Sequence, residues 1–136
     1  MSKAADPTLS VLRVLVAEDE AIVAMLIEDM LKELGADVVG PVKTVDEAMG
    51  ALRDDAIDVA MLDVNLRGGR AYAVASELHQ RSIPFVFVSG YSHLSDCPPE
   101  LGHVPHLNKP FRLEELVAAL KGAMAEGGGG PGSGPA

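Results

Sequence analysis

Aromatic side chains are scarce in this 136-residue chain, which has no tryptophan, two tyrosines and three phenylalanines. A core must therefore be built from Val, Leu, Ile, Ala and Met, which dominate its 48% hydrophobic content and favour helices packed on strands. Cysteine is nearly absent too. Cys97 stands alone, which excludes an internal disulfide, and its neighbours "SDCPPE" offer no cation to activate the thiol. Positive charge is in deficit: 11 basic against 20 acidic side chains leave a formal charge of -9. Without a basic cluster, such a chain repels phosphate backbones, so no nucleic-acid partner is expected. No apolar run approaches the roughly 20 residues needed to cross a bilayer, so no membrane partner is expected. The start "MSKAADPTLS" has no apolar signal stretch, and the expected location is the cytoplasm.

What is present is an alternation of two periodicities. "VLRVLVA" (Val11 to Ala17) is a short, nearly continuous apolar run, the pattern of a strand covered on both faces. Val23, Leu26, Ile27, Met30 and Leu34 then recur at helical spacing, with Gly35 placed to end the helix. "ADVVGPV" (Ala36 to Val42) reads as a second strand, and Thr44 with Glu47 as a capping box ahead of a second helix through Val45, Ala48, Met49 and Leu52. "DVAML" (Asp58 to Leu62) is a third strand, followed by a helix from about Ala71 to Arg81. "PFVFVS" (Pro84 to Ser89) is a fourth strand. The next segment, "SHLSDCPPELGH", has two adjacent prolines and allows only a short or irregular fourth helix. "HVPHLN" (His103 to Asn108) is an edge strand where Pro105 is tolerated, and Leu113, Leu116, Val117, Leu120 and Met124 mark an amphipathic last helix.

Strands alternating with helices predict a five-stranded parallel sheet with helices on both faces, a three-layer doubly wound α/β domain. Its expected span is 11–126, between a disordered segment 1–10 and a disordered Gly/Pro tail 127–136. In such sheets the working site lies at the carboxyl ends of the strands. The first strand exits into Glu18, Asp19 and Glu20, the third into Asp63, the fourth at Ser89 and the fifth at Lys109. Acidic residues at a helix start also complement the helix dipole, which accounts for the first trio without chemistry. It does not account for Asp63, Ser89 and Lys109 at the same sheet edge. Carboxylates about 4 Å apart repel by about 4 kcal/mol at an effective dielectric of 20, so a cation is needed among them. Magnesium, a hard ion that keeps several waters and pairs with phosphate, suits the donors. Three carboxylates, one divalent ion and the Lys109 ammonium sum to zero charge, leaving a pocket able to accept a phosphoryl group.

The motifs "VLVAEDE", "VAMLDVN", "FVFVSGY" and "NKPF" resemble the receiver domain of two-component response regulators, from Leu12 to Ala125. The resemblance implies a flavodoxin-like sheet of strand order 2-1-3-4-5. It also implies a signalling module that catalyses only its own phosphorylation and dephosphorylation, and otherwise is not an enzyme. By position, Asp63 is the phosphoacceptor for a sensor histidine kinase or histidine phosphotransfer protein. Asp19 and Asp63 hold Mg2+ directly, with the Asn65 main-chain carbonyl, while Glu18 acts through water. Ser89 and Lys109 bind the phosphoryl oxygens, and Ser89 with Gly90 begins the switch. Phe87-Val88-Ser89-Gly90 is similar to the Phe-Ala-Thr-Gly stretch of one receiver subgroup.

Two departures matter. Where many receivers carry an aromatic three residues before the lysine, this chain has His106, and Tyr91 is the nearest aromatic able to replace it. Where the family has proline four residues after the phosphoacceptor, Arg67 is followed by Gly68 and Gly69, so a more mobile loop is expected. His79, His93, His103 and His106 show no metal-ligand spacing. The expectation is a stand-alone receiver acting on a downstream protein, with residues 92–103 and the last helix as docking surface. The fifth strand and last helix offer a face for a homodimer. One rival, a flavodoxin-like cofactor binder, needs a glycine- or hydroxyl-rich phosphate loop where Glu18-Asp19-Glu20 stands. A hydrolase forming an aspartyl phosphate usually has a second aspartate at the position of Asn65. The remaining rival is a receiver-like scaffold that is never phosphorylated.

Overall fold

The computed structural model describes residues 9–67, 69–90 and 97–127. In chain order the elements are β1 (Arg13–Ala17), α1 (Ala21–Glu33), β2 (Asp37–Val42), α2 (Val45–Asp54), β3 (Val59–Asp63), β4 (Asn65–Leu66), β5 (Gly69–Arg70), α3 (Tyr72–Gln80), β6 (Phe85–Ser89), β7 (His106–Asn108) and α4 (Leu113–Gly127). The main sheet has five strands in the order β2-β1-β3-β6-β7. All four pairings in it are parallel. The expected order 2-1-3-4-5 is therefore present, with β6 and β7 as the fourth and fifth long-range strands.

Side chains of a strand alternate between faces, and here the alternation separates two cores. Val14 and Val16 of β1, Val59 and Met61 of β3, and Val86 and Val88 of β6 pack with Ile27 and Leu31 of α1 and Leu116 and Leu120 of α4. Leu15 and Ala17, Ala60 and Leu62, and Phe85 and Phe87 face the other way, onto Ala48 and Leu52 of α2 and Val74 and Leu78 of α3. Few aromatics suffice because they are concentrated: the Phe85 and Phe87 rings meet edge to face at 5.5 Å, and Tyr72 meets Phe87 at 5.9 Å.

Local signals explain most boundaries. After α1, Gly35 takes φ +88° while its N–H donates to Lys32 O at 3.0 Å and that of Ala36 to Leu31 O at 3.0 Å. That is a left-handed C-terminal cap closed by two buried apolar residues, Leu31 and Ala36. Thr44 caps α2, its hydroxyl accepting from Glu47 N–H at 2.9 Å, while the Glu47 carboxylate accepts from the N–H of Lys43 at 2.8 Å, one residue before the expected box partner. The β1 register shifts opposite Gly40, whose φ is +102°. A Cβ there would stand 2.7 Å from Val42 N and 3.0 Å from Val16 O, so the bulge requires glycine.

Some boundaries differ from expectation. β1 starts at Arg13 rather than Val11, because Val11 is exposed at φ +58° with its N–H donated to Gly35 O at 2.8 Å. Leu9, expected in a disordered segment, is 1% exposed and belongs to the core with α1 and α4. β7 starts at His106 rather than His103, because Val104 N–H closes a turn onto Leu101 O at 3.1 Å. Among the described residues, the segment expected to hold a short or irregular fourth helix forms a 3-10 turn, Pro99–Leu101. The Arg67 loop joins two short strands that pair Asn65 with Arg70 and Leu66 with Gly69. Residues 1–8, 68, 91–96 and 128–136 lie outside the described residues. No helix among the described residues is long and apolar enough to cross a membrane.

Candidate functional site

The buried polar or charged side chains among the described residues are three: Glu18, Asp63 and Ser89, at 1%, 4% and 2% exposure. Each lies at the carboxyl end of a central strand. β1, β3 and β6 are adjacent, with Ala17 beside Leu62, and Asp63 beside Val88. The apolar runs that build the core thus carry the polar groups to one edge. β7 adds the cation, since Ser89 lies opposite Asn108 and the Lys109 N–H donates to Ser89 O at 2.8 Å.

The Lys109 ammonium stands within a nest of carboxylates. Nζ donates to Glu20 Oε1 at 2.8 Å, Asp63 Oδ2 at 3.1 Å and Glu18 Oε1 at 3.3 Å. Main-chain donors hold the other oxygens: Asn65 N–H reaches Asp63 Oδ1 at 3.0 Å, and Glu20 N–H reaches Glu18 Oε2 at 3.1 Å. Burial, then a hydrogen bond and charge repulsion from Asp63, push the Glu18 carboxyl up to about 8. Burial alone would lower the Lys109 ammonium, but hydrogen bonds to Glu20 and Asp63 and the charges of Asp63 and Glu18 raise it instead. The two shifts are compatible because one ammonium serves three carboxylates: the lysine gains, and the most buried acid is left undercompensated.

That surplus of negative charge and the chemistry of the donors fit a divalent cation. Glu18, Glu20 and Asp63 each place a carboxylate oxygen within 4.8 Å of the others, so the group could hold a metal ion. Asp19 is outside this trio. It is half-buried and lines, with Asp63, Asn65, Gly90 and Lys109, a cavity of about 740 Å³ that continues as an apolar groove between α1 and Phe111. Glu20 was missing from the ligands implied by resemblance; its only sequence signal is its place after Asp19, where it also reads as a helix start. Its 2.8 Å contact to Lys109 depends on a strand 89 residues away in sequence.

The remaining site residues divide. Gly90 and Asn65 line the cavity, and Ser89 is buried at the end of β6 next to Gly90. His106, on β7 opposite Phe87, has its Nε2 buried without a hydrogen-bond partner among the described residues, and burial lowers its pKa. Tyr91, the expected aromatic substitute, lies outside the described residues. Arg70 was not anticipated: its Nη1 donates to Asn65 Oδ1 at 2.8 Å across the hairpin.

Comparison with known proteins agrees with this geometry. Residues 14–121 match the family model described as response regulator receiver domain. The transcriptional regulatory protein PdtaR of Mycobacterium tuberculosis is 31% identical over 116 residues, 83% of this chain and 57% of that protein. The phosphate regulon transcriptional regulatory protein PhoB of Escherichia coli is 30% identical over 118 residues, 82% of this chain and 51% of that protein. The chain thus spans about half the length of the curated relatives it matches. Among solved structures, SdrG from Sphingomonas melonis Fr1 is 40% identical with a TM-score of 0.74, covering 84% of this chain and 97% of that one. A CheY-like receiver from Methanospirillum hungatei, 19% identical with a TM-score of 0.75 over 88% of this chain and 98% of that one, shares the fold. The chain therefore belongs to the response regulator receiver domain family.

Proposed function

We propose that this receiver takes a phosphoryl group onto Asp63 from a histidine kinase or histidine phosphotransfer protein in the cytoplasm, and signals by a change in protein binding. The observation that carries this reading is that buried Glu18, Asp63 and Ser89 stand at the carboxyl ends of adjacent strands, with the Lys109 ammonium bonded to Glu18 and Asp63 and both Asp63 and Lys109 lining one cavity. In the transfer an Asp63 carboxylate oxygen attacks phosphorus, the N–P bond of the donor's phosphohistidine breaks, and its electron pair returns to the imidazole.

Asp19, Asp63 and the Asn65 carbonyl would hold Mg2+, with Glu18 acting through water, and the ion would supply positive charge against the transferring phosphoryl oxygens. Lys109 leaves its carboxylate nest to contact one of those oxygens, and Ser89 hydrogen-bonds another. Moving the Ser89 hydroxyl inward biases the loop beyond Gly90 between two arrangements. Tyr91 takes the role of the aromatic that His106 does not supply; unchanged phosphorylation-dependent NMR shifts of residues 97–103 in Tyr91→Ala count against that role.

The donor docks over α1, because Ile22, Met25 and Leu26 are 74%, 59% and 53% exposed there and Leu26 lines the cavity. The downstream protein, or a second copy of the chain, binds the 3-10 turn and the face of β7 and α4. Incubation with Mg2+ and acetyl phosphate, followed by intact mass and peptide mapping, tests the chemistry. The expected gain is one phosphoryl group that disappears in Asp63→Asn; no gain in the parent protein favours the unphosphorylated scaffold.

A further inference from the structure

Asn65 is connected to Asp63 by its main chain and to Arg70 by its side chain. Its N–H donates to Asp63 Oδ1 at 3.0 Å, and its Oδ1 accepts from Arg70 Nη1 at 2.8 Å. A guanidinium can only donate, so the bond engages the amide oxygen and leaves the amide NH2 as the end available to other groups. The hairpin that sets this pair is itself anchored. Asn65 and Arg70 are directly opposite across β4 and β5. Arg67 N–H donates to Lys43 O at 3.2 Å, Val45 N–H to Arg67 O at 3.2 Å, and Ala71 N–H to Val64 O at 2.8 Å. Asn65 also lines the cavity that holds Asp63.

We propose that Arg70 is a positioning residue that lengthens the life of the aspartyl phosphate by keeping the Asn65 amide oxygen engaged. The inference rests on the phosphorylation of Asp63 proposed above. Loss of the phosphoryl group requires water to attack phosphorus as the P–O bond to Asp63 breaks. The electron pair returns to the carboxylate, and the water proton leaves with inorganic phosphate. An amide oxygen beside that phosphorus can accept a hydrogen bond from the water and orient its lone pair. With Arg70 in place the guanidinium takes one of the two lone pairs of that oxygen, weakens it as an acceptor for water and fixes the amide so that its NH2 is the end that meets phosphoryl oxygens. Arg70 thus acts through Asn65 and touches no reacting atom.

The test is the decay of the phosphorylated parent, Arg70→Ala, Arg70→Lys, Asn65→Ala and the Arg70→Ala/Asn65→Ala double variant. Each is phosphorylated with acetyl phosphate and Mg2+, freed of donor, and followed by intact mass. Arg70 is exposed, and an unchanged amide NMR spectrum shows that each variant is folded. Arg70→Ala is expected to decay about fivefold faster than the parent, the factor of one modest hydrogen bond. Arg70→Lys, which keeps a donor, restores most of the lifetime, and Arg70→Ala has no further effect in the Asn65→Ala background. An unchanged half-life in Arg70→Ala overturns the proposal. Equal acceleration with and without Asn65 overturns it too, because the effect is then one of charge. A parent that gains no phosphoryl group overturns the phosphoacceptor reading itself, a result distinct from either.

Discussion

At its amino end, β1 places Arg13 where its N–H donates to Asp58 Oδ2 at 2.8 Å and its Nε to Ala56 O at 2.7 Å. At the carboxyl end of the same strand, Glu18 is 1% exposed beside Asp63 and shares one ammonium with two other carboxylates. The amino end keeps its charges exposed and locally paired. The carboxyl end buries an excess of one sign, an arrangement that costs stability and that a bound cation would offset. The contrast continues along β6, where Val86 to Val88 obey packing and Ser89, equally buried, does not.

Substitutions separate these two rules. Phe87→Ala, which empties the ring contacts to Phe85 and Tyr72, should lower unfolding free energy by about 3–5 kcal/mol in urea titrations. A loss below about 1 kcal/mol would show that the packed interior is not what stabilises the strand. Gly40→Ala should cost more than about 1 kcal/mol, because φ is +102° and the new Cβ meets Val42 N at 2.7 Å. Asp63→Asn should act in the opposite direction. At pH 8 and above without Mg2+, where Glu18 ionises, it relieves repulsion against Glu18 and should stabilise the fold by about 0.5–2 kcal/mol, read as a higher Tm. Destabilisation instead would mean that the Lys109 contact outweighs the repulsion. Lys32→Ala removes only the exposed i,i+4 pair with Glu28 at 3.2 Å and should change stability by less than about 0.5 kcal/mol.

The parallel sheet and the polar residues at its edge were legible because each follows from short-range pattern: continuous apolar runs, helical spacing, and a charged or hydroxyl residue where a run stops; the strand order was implied only by the family resemblance. Leu9 was not legible, since a lone aliphatic residue in "DPTLS" carries no period. Nor was the hairpin at Asn65 to Arg70, whose two glycines read as freedom. Its pairing depends on anchors to Lys43 and Val45, more than 20 residues earlier. The roles of Glu20 and Arg70 were hidden for the same reason. Glu20 matters through Lys109 and Arg70 through Asn65, and neither partner is marked by spacing in the chain.

The central claim is that the carboxyl edge holds more negative charge than the protein can itself compensate. The Glu18 carboxyl, ordinarily near 4.5, is held at about 8 in the folded chain by burial and then by Asp63. The folded state therefore binds that proton more tightly than the unfolded state does. Its contribution to stability is complete below about 4.5 and is lost as pH rises to about 8. The most direct measurement is Tm from pH 5 to pH 8, with and without Mg2+, for the parent and Asp63→Asn. The account predicts that the metal-free parent loses stability across this range, that Mg2+ restores it increasingly toward pH 8, and that Asp63→Asn shows little response to Mg2+. A parent whose Tm is unmoved by Mg2+ at pH 8, or moved no more than that of Asp63→Asn, would contradict it.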